Sequence, residues 1–388
     1  MKNILFVHQS AEMYGSDKVL LFLAQGLQSG EDFIPVVVLP EDGPLRAALL
    51  AIGVEVHVAE VAKISRSVMS PAGLLRLAWC VLRGVRALDK IVGDRQIALV
   101  HSNTLAVLSG AVWALVRRKP HLWHVHEIIL SPKLVSKVYP RLVRVLSDRV
   151  VSNSTLTERW LLSEQPSLAS RSVVVFNGLP RVARPPDEAI LAFRAKAGAT
   201  ESDVVVTLVG RISRWKGQGL LIDVAAELQR RGNISNLKFV IVGDAGPGLE
   251  DLPVQLKEQV VLLGLDGYFT FLSFVDDIWP VWFGTDIAVV PSTEPEPFGM
   301  VAIEAMAAAV PVIAASHGGL LDIVEDEETG LLFLPRSVTG FADALERLSS
   351  VDSMRRSLGK AGADRQKKLF SVEIQVDRTV ELYRAMSK

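Results

Sequence analysis

Two hydrophobic rhythms alternate in the first part of the chain. Short apolar runs rich in β-branched residues are typical of strands, and between them apolar residues recur every three or four positions, as on one helix face. The succession is strand NILFVH, helix DKVLLFLAQGL, strand FIPVVVLP, helix PLRAALLAIG and strand VEVHVA. Strands that alternate with helices predict a parallel sheet covered on both faces.

The same rhythm restarts in the second half. Here we predict strands at VVVTLVG, KFVIVG, VVLLG, FTFLSF, DIAVVP and PVIAA, and helices at about 217–231 and 299–309. The Pro- and Arg-rich stretch 179–186 has no periodic apolar face, so it marks a domain boundary. A terminal helix is long enough to return to the first domain. We therefore predict an α/β protein with two Rossmann-like domains and this helix, at 1–180, 181–370 and 371–388.

Length and composition agree with this plan. A chain of 388 residues exceeds the size at which one core keeps growing, so two domains with a cleft between them are expected. The mean hydropathy of +0.30 is high for a freely soluble enzyme. The single cysteine, Cys80, excludes an internal disulfide. We expect a cytoplasmic protein without signal peptide or spanning helix, because no apolar stretch reaches about 18 residues.

Charge is unevenly distributed along the chain. The residues up to Pro180 carry a net charge of +6 and the remainder −7. Two basic amphipathic segments, LLRLAWCVLRGVRALDK and SPKLVSKVYPRLVRVLSDR, lie in the positive half. In the first, basic residues recur every seven positions (Arg76, Arg83 and Lys90) opposite an apolar face of Leu74, Leu77, Ala78, Val81, Val85 and Leu88. We predict peripheral association with the anionic inner face of the plasma membrane; the alternative is an ordinary domain helix.

Cationic residues follow the first strand of the second half. The segment VTLVGRISRWKG places Gly210 and Arg211 just beyond a strand and Lys216 at the start of the next helix. Ligands of doubly wound sheets bind at the carboxyl ends of strands, so both cations are predicted to point towards a ligand. They suit a diphosphate leaving group, whose negative charge grows as its bond to the sugar breaks. The alternative is a solvated loop that only contacts helices.

A pair of carboxylates stands in the segment PSTEPEPFGMVAIEAMAAAVPVIAA. Glu296 lies in a Pro-rich loop, where it could accept hydrogen bonds from sugar hydroxyls. Glu304 lies eight positions later, inside a helix, where it could bind a ribose diol. We predict that the first helical turn offers free N–H groups to a phosphate, through Phe298, Gly299, Met300 and Val301. The alternative is that both glutamates are surface residues stabilising the helix N-terminus.

This Glu-x7-Glu pair, preceded by the Arg and Lys loop, resembles the retaining glycosyltransferases of family GT4. The blocks VGRISRWKG, FVDD, TDIAVVPS, EPFGMVAIEAMA, PVIA, HGG and TGLLF resemble the family's blocks in order, and the resemblance spans nearly the whole chain. It implies the GT-B fold, in which two Rossmann-like domains face each other across a cleft.

The resemblance also implies roles for the residues singled out above. Arg211 and Lys216 would bind the diphosphate, and Glu296 would bind the sugar hydroxyls. The remaining contacts, to phosphate, ribose and base, would come from the backbone of Met300 and Val301, from Glu304 and from the backbone near Val275.

The loop QSAEMYGSDK in the first half resembles the family's paired glycine followed by a small residue and an acid. Gly15 would bring a backbone N–H near the diphosphate when the cleft closes, and Ser16 is predicted to be the N-cap of the next helix. The alternative is that this segment is only a helix cap.

Histidines mark the next two strand ends. In HLWHVHEII, His124 and His126 share one strand face and could form a metal pair, but no third ligand has convincing spacing. The resemblance instead favours His126 as a residue near the sugar, acting through its carbonyl or ring, with a buried structural histidine as the alternative. His101-Ser102-Asn103 is predicted to line the acceptor pocket, unless it is a structural turn.

These features predict a retaining hexosyltransferase that uses GDP-mannose or a UDP-sugar and a saccharide or lipid-linked acceptor, in bacterial polysaccharide or glycolipid synthesis. The expected catalytic residues are Glu296, His126, Arg211 and Lys216. No Asp-x-Asp motif occurs, so we expect metal-independent transfer without a cofactor, and no nucleic-acid partner. The alternatives are a nucleotide-sugar epimerase of the same architecture and an inactive sugar-nucleotide-binding protein. A dinucleotide oxidoreductase is disfavoured because no Gly-x-Gly-x-x-Gly opens either half.

Overall fold

The computed structural model describes residues 1–63, 70–129, 133–246 and 248–388. The chain forms two compact units. The first unit combines residues 1–180 with 370–388, and the second is continuous from 181 to 369. The division falls between Pro180 and Arg181, inside the Pro- and Arg-rich stretch.

The described part of the first unit holds a seven-stranded sheet in the order β3-β2-β1-β4-β5-β6-β7, with every pairing parallel. Its central strands are buried along nearly their whole length, which explains their continuous apolar runs. The elements are β1 (Lys2–His8), α1 (Gly15–Gln28), β2 (Phe33–Leu39), α2 (Pro44–Ala51), β3 (Glu55–Val58), α3 (Pro71–Val92), β4 (Ile97–Asn103), α4 (Ser109–Arg117), β5 (His121–Val125), α5 (Lys133–Leu146), β6 (Arg149–Ser152), α6 (Thr155–Glu164) and β7 (Ser172–Val174).

The second unit, over its described residues, holds a six-stranded parallel sheet in the order β10-β9-β8-β11-β12-β13. Its core is built on the inner faces of β8, β9 and β11 and the helices that cover them. The elements are α7 (Asp187–Lys196), β8 (Val204–Val209), α8 (Gln218–Arg231), β9 (Leu237–Val242), α9 (Leu252–Leu262), β10 (Phe269–Leu272), α10 (Trp279–Phe283), β11 (Ile287–Val290), α11 (Met300–Ala307), β12 (Val312–Ala315), α12 (Leu320–Ile323), β13 (Gly330–Phe333), α13 (Val338–Ser350) and α14 (Asp352–Leu369).

The last helix, α15 (Val372–Met386), belongs to the first unit and packs on α1. Its Tyr383 is fully buried; the ring lies edge-on to Phe33, and the hydroxyl lies 2.5 Å from Nδ1 of His101. An ion pair between Arg384 and Asp32 adds a surface contact. Apolar, hydrogen-bonded and charged contacts therefore all hold α15 to the earlier part of the first unit.

One predicted strand is wrong. The run VVLLG, residues 260–264, is the end of α9 and the turn after it. Val260 is buried on the inner face of the helix, whereas Val261 and Leu262 are 64% and 85% exposed. A short apolar run does not distinguish a strand from a helix end by periodicity, and here the run continues the preceding helix.

The first basic amphipathic segment forms α3, but most of its predicted apolar face points inward. Leu88 is buried, and Leu77, Val81 and Val85 pack against the core. Leu74 and Ala78 of the predicted face are exposed, as are the large apolar side chains of Leu75, Trp79 and Leu82. The second segment forms α5; its first two residues, 131 and 132, lie outside the described residues. No helix in the described ranges is long and apolar enough to span a membrane.

Candidate functional site

The predicted donor-site residues of the second unit follow the carboxyl ends of its central strands. Gly210 and Arg211 come directly after β8, and a loop from Pro291 to Gly299 joins β11 to α11. Since β8 and β11 are neighbours and parallel, both loops leave the sheet at the same edge. The side chain of Arg211 is exposed there.

Lys216 and Glu296 form an ion pair at this edge. The Lys216 Nζ atom lies 2.8 Å from Glu296 Oε1, and the side chains are only 17% and 5% exposed. The Ser292 hydroxyl donates a second hydrogen bond to the same carboxylate oxygen. Lys216 also lies over the Trp215 ring, 4.6 Å from its centroid. The structure thus joins two predicted site residues, Lys216 and Glu296, into one polar centre. Ser292 and Trp215 also belong to this centre, but they were not predicted from the sequence.

Glycines allow the loops around this centre to approach closely. Gly217 precedes α8 at φ = 85°, and a Cβ there would lie 2.1 Å from the carbonyl oxygen of Pro291. Gly318 has φ = 71°, and a Cβ would lie 2.6 Å from the carbonyl oxygen of Glu296. The N–H of Gly319 donates to that same carbonyl at 2.8 Å. The backbone of Glu296 is therefore held by the His-Gly-Gly segment, which explains why those glycines are required.

Helix α11 begins at Met300, one residue after the predicted start at about 299 and two after Phe298, the first residue of the predicted first turn. Gly299 is its N-cap, with φ = 123°, and Met300 is the first helical residue. The predicted first turn from Phe298 to Val301 wrongly includes Phe298 and Gly299, because Gly299, at φ = 123°, lies outside the helical region. Phe298 is a buried side chain before the helix, and the free N–H groups of the first turn begin near Gly299.

Glu304 lies in the second turn of α11 and is 6% exposed. The indole N–H of Trp282 donates to its Oε2 at 3.4 Å. Burial contradicts the alternative of Glu304 as a solvated surface carboxylate. Trp282 belongs to the short helix α10, whose pattern in the sequence gave no sign of this contact. Val275, predicted near the base, follows β10 and packs partly against the core.

In the first unit, Ser16 is not the N-cap of α1. The helix begins at Gly15 with Tyr14 as N-cap, and the Asp17 carboxylate accepts the Tyr14 N–H at 2.9 Å. Asp17 does this from the third helical position, as the acidic residue of a capping box does. Gly15 is exposed at the start of the helix, and Ser16 is half-buried.

His126 follows β5 and is 8% exposed. Its Nε2 lies 2.9 Å from Oδ1 of Asn103. Burial lowers the pKa of His126 well below its ordinary value, and the nearby His124 and His8 lower it further, so the ring is neutral at physiological pH. The His124 and His126 ring centroids are 4.0 Å apart. The described residues contain no group of three or more side chains able to hold a metal ion.

The predicted acceptor segment divides into two kinds of residue. His101 and Ser102 are fully buried, and their partners are Tyr383 and His121. This contradicts a pocket-lining role for those two and favours the structural alternative. Asn103 is also buried, at 1% exposed, but its side chain contacts the predicted site residue His126 directly.

Comparison with known proteins identifies the family. A model described as Glycosyltransferase Family 4 matches residues 14–181, and one described as Glycosyl transferases group 1 matches residues 190–365. A D-inositol 3-phosphate glycosyltransferase of Nocardioides sp. is 35% identical over 311 residues, which are 74% of this chain and 67% of that protein. The D-inositol 3-phosphate glycosyltransferase of Rhodococcus jostii is 40% identical over 243 residues, which are 61% of this chain and 52% of that protein. The chain thus spans about half the length of several curated relatives it matches.

Solved structures show the same fold over the full length. Anabaena Alr3699/HepE, in complex with UDP and glucose, has a TM-score of 0.83 and 26% identity, covering 98% of this chain and 99% of that one. The same protein in complex with UDP-glucose has a TM-score of 0.82 and 26% identity, covering 99% of this chain and 100% of that one. With two parallel-sheet units, family models in both units and these likenesses, the chain belongs to the family 4 glycosyltransferases and has the GT-B fold.

Proposed function

We propose that this chain is a retaining hexosyltransferase whose second unit holds a nucleotide-diphosphate sugar. The observation that carries the proposal is the buried Lys216–Glu296 pair. Its Lys216 stands in the same loop as Arg211, and the pair lies on the same sheet edge as the start of α11. We favour a UDP-sugar over GDP-mannose, because HepE, similar over nearly the whole chain, was solved with UDP and with UDP-glucose.

In the proposed reaction the bond between the sugar C1 and the diphosphate oxygen breaks while an acceptor hydroxyl oxygen bonds to C1 on the same face. The departing diphosphate takes the proton of that hydroxyl, so charge and atoms balance. Arg211, Lys216 and the N–H groups at the start of α11 stabilise the charge that develops on the diphosphate. Glu296 orients the sugar through its hydroxyls, Glu304 binds the ribose, and His126 contacts the transferred sugar.

We propose that the reaction needs no divalent metal, since two cations and a helix N-terminus supply positive charge to the diphosphate. The test is transfer measured with excess chelator, with and without added Mg²⁺ or Mn²⁺. Unchanged activity supports the proposal. Activity that disappears with chelator and returns with either ion contradicts it.

The acceptor is proposed to be a saccharide or a lipid-linked saccharide in bacterial polysaccharide or glycolipid assembly. The relatives are named D-inositol 3-phosphate glycosyltransferases, so a polyol phosphate belongs in the same acceptor panel. An epimerase would release a modified nucleotide sugar without any acceptor, and an inactive binding protein would leave the donor intact. Product analysis by mass spectrometry with and without each acceptor separates these three outcomes.

Nucleotide preference tests the donor directly. Thermal shifts of the full chain are measured against UDP, GDP, ADP and dTDP, and the preferred base gives the largest increase in Tm. Arg211→Ala should weaken both diphosphate binding and transfer. Glu296→Ala should abolish transfer while largely preserving nucleoside-diphosphate binding, because the sugar is absent from that ligand. Loss of diphosphate binding in Glu296→Ala would contradict its role as a sugar contact.

We further propose that the first unit attaches peripherally to an anionic bilayer through α3. Leu75, Trp79 and Leu82 are spaced four and three residues apart, lie on one helical face and are 76%, 56% and 55% exposed. Arg76 and Arg86 are exposed on the same helix, where they can contact anionic headgroups. This apolar and basic surface replaces the one predicted from the sequence, which is mostly buried.

Vesicle binding tests the surface. The triple variant with serine at Leu75, Trp79 and Leu82 should no longer sediment with vesicles containing 30% phosphatidylglycerol at low salt. A variant with serine at Val261 and Leu262, which are equally exposed on α9 of the second unit, is the matched control and should bind normally. Equal binding by both variants, or no binding by the unaltered chain, would contradict the proposal.

A further inference from the structure

Buried polar side chains of the first unit form a continuous chain of contacts leading to His126. His8, the last residue of β1, is fully buried, and its Nε2 lies 2.5 Å from Oδ1 of Asp17. On its other side, Nδ1 of His8 lies 3.0 Å from Nδ2 of Asn103. The opposite end of the Asn103 amide, Oδ1, lies 2.9 Å from Nε2 of His126.

The direction of the Asn103 amide follows from its neighbours. The backbone carbonyl of Ser16 lies 3.3 Å from Nδ2 and is only an acceptor, so the amide nitrogen must face it. Its second N–H then points to Nδ1 of His8, and the amide oxygen faces His126. An amide oxygen is also only an acceptor, so Nε2 of His126 carries the proton and its Nδ1 is left bare.

Asp17 holds the far end of this chain in one protonation state. Burial raises the pKa of Asp17, but the hydrogen bond and charge attraction of His8, with the bonds from Ser10 and the Tyr14 amide, lower it below its ordinary value. An ionised carboxylate only accepts hydrogen bonds, so Nε2 of His8 donates to it. The opposite nitrogen of the His8 ring, Nδ1, contacts Asn103 through both the side-chain Nδ2 at 3.0 Å and the backbone carbonyl oxygen at 3.2 Å.

We propose that Asp17, His8 and Asn103 are positioning residues that fix the ring orientation of His126 and its Nε2–H tautomer, keeping Nδ1 available as an acceptor towards the transferred sugar. The proposal rests on the proposed transferase function for its catalytic consequence. Its structural part, the tautomer, does not depend on activity. The same contacts also tie the start of α1 to β1 and β4, so the test must separate positioning from stability.

A double-mutant cycle makes that separation. Asp17→Asn and Asn103→Leu should each lower kcat on the order of 10- to 100-fold with a small change in KM for the donor, because a misplaced group costs rate rather than binding. In the His126→Ala background the same two substitutions should cause little further loss, since they act through the missing ring. Ser10→Ala, which removes a different bond to the Asp17 carboxylate, is the matched control and should stay within about twofold of the unaltered protein.

Several kinetic results would overturn the proposal. Losses in kcat that are as large in the His126→Ala background would show a general structural effect. A His126→Ala protein as active as the unaltered one would also overturn it, while leaving the proposed transferase function in place. UDP binding by each variant is measured in parallel, and it should be unchanged because these residues lie in the first unit.

The tautomer is measured independently by NMR with ¹⁵N-labelled histidine. Of the seven histidines, the signals of His126 are identified by their loss in His126→Ala. A proton on Nε2 and a bare Nδ1 in the unaltered chain, becoming a mixture in Asp17→Asn, supports the proposal. A proton on Nδ1, or no change in Asp17→Asn, overturns it. A chain that transfers no sugar but shows the expected tautomer would refute the proposed function alone.

Discussion

Replacing Lys216 with methionine is the most informative single change in the second unit. The substitution keeps most of the length of the side chain but removes its charge. The Glu296 carboxylate, only 5% exposed, is then left without its cation. At 2.8 Å and an effective dielectric constant of about 20, the direct attraction between the two charges is about 6 kcal/mol. Desolvation of both groups offsets much of this attraction in the intact pair.

The net cost of breaking the pair is set by the buried carboxylate that remains. Losing one partner of a buried ion pair typically costs about 3–5 kcal/mol. The Ser292 hydroxyl still donates to Glu296, so we expect the lower part of this range or slightly less, about 2–4 kcal/mol. For a unit of this size that corresponds to a decrease in Tm of about 5–12 °C, measured by calorimetry on the full chain.

The double variant Lys216→Met/Glu296→Gln removes both charges and should recover most of the lost stability, because no unpaired carboxylate is left. Sugar transfer should not recover, because the diphosphate has lost the Lys216 cation and the sugar has lost the Glu296 carboxylate. We expect kcat/KM of the double variant to stay lower than that of the unaltered chain by about 100-fold or more. A single variant as stable as the unaltered chain, or a double variant no more stable than the single one, would refute this account of the pair.

Three further predictions concern stability. Gly217→Ala should destabilise the second unit by more than about 2 kcal/mol, because the new Cβ would clash with the Pro291 backbone in addition to the cost of a positive φ. The control Gly232→Ala, at φ = 80° with open space around it, should cost only about 1 kcal/mol. Equal decreases in Tm for the two variants would contradict the clash. Burial raises the pKa of Glu127 from 4.5 to about 7. Between these two pH values the folded state therefore holds a proton that the unfolded state releases. The free energy of unfolding should fall by roughly 3 kcal/mol as pH rises from about 4.5 to 7. Glu127→Gln should remove this decrease in urea titrations across that pH range, and an unaltered pH profile would refute it. Tyr383→Phe leaves Nδ1 of His101 unpaired and should cost about 1–3 kcal/mol, seen as a lower Tm of the first unit.

The sequence predicted the alternation of strands and helices because both sheets are parallel and buried, so each strand is a nearly continuous apolar run bounded by amphipathic helices. The predicted positions of Arg211, Lys216 and Glu296 in loops after recognisable strands, and of Glu304 inside the helix that follows, agree with the structure, because each segment is short and directly follows a buried strand. The error at 260–264 arose where a helix end carries an apolar run.

Contacts over long sequence separations were beyond sequence reasoning. Lys216 and Glu296 are 80 residues apart, and nothing in either segment indicates that they pair. His8 ends an ordinary strand, and its bond to Asp17 depends on how α1 returns over the sheet. The N-cap of α1 is Tyr14 and not Ser16, because the Asp17 carboxylate, from within the first turn, accepts the Tyr14 N–H.

The position of α15 has a consequence for how the protein is made. Residues 181–369 are a continuous segment inserted between the two parts of the first unit, so on the ribosome they can fold as soon as they emerge. The first unit has to wait for its last helix while that segment is translated, about 10–40 s at 5–20 residues per second. During that time the α1 surface that α15 covers, and Phe33 at the start of β2, are open to chaperones or to other nascent chains.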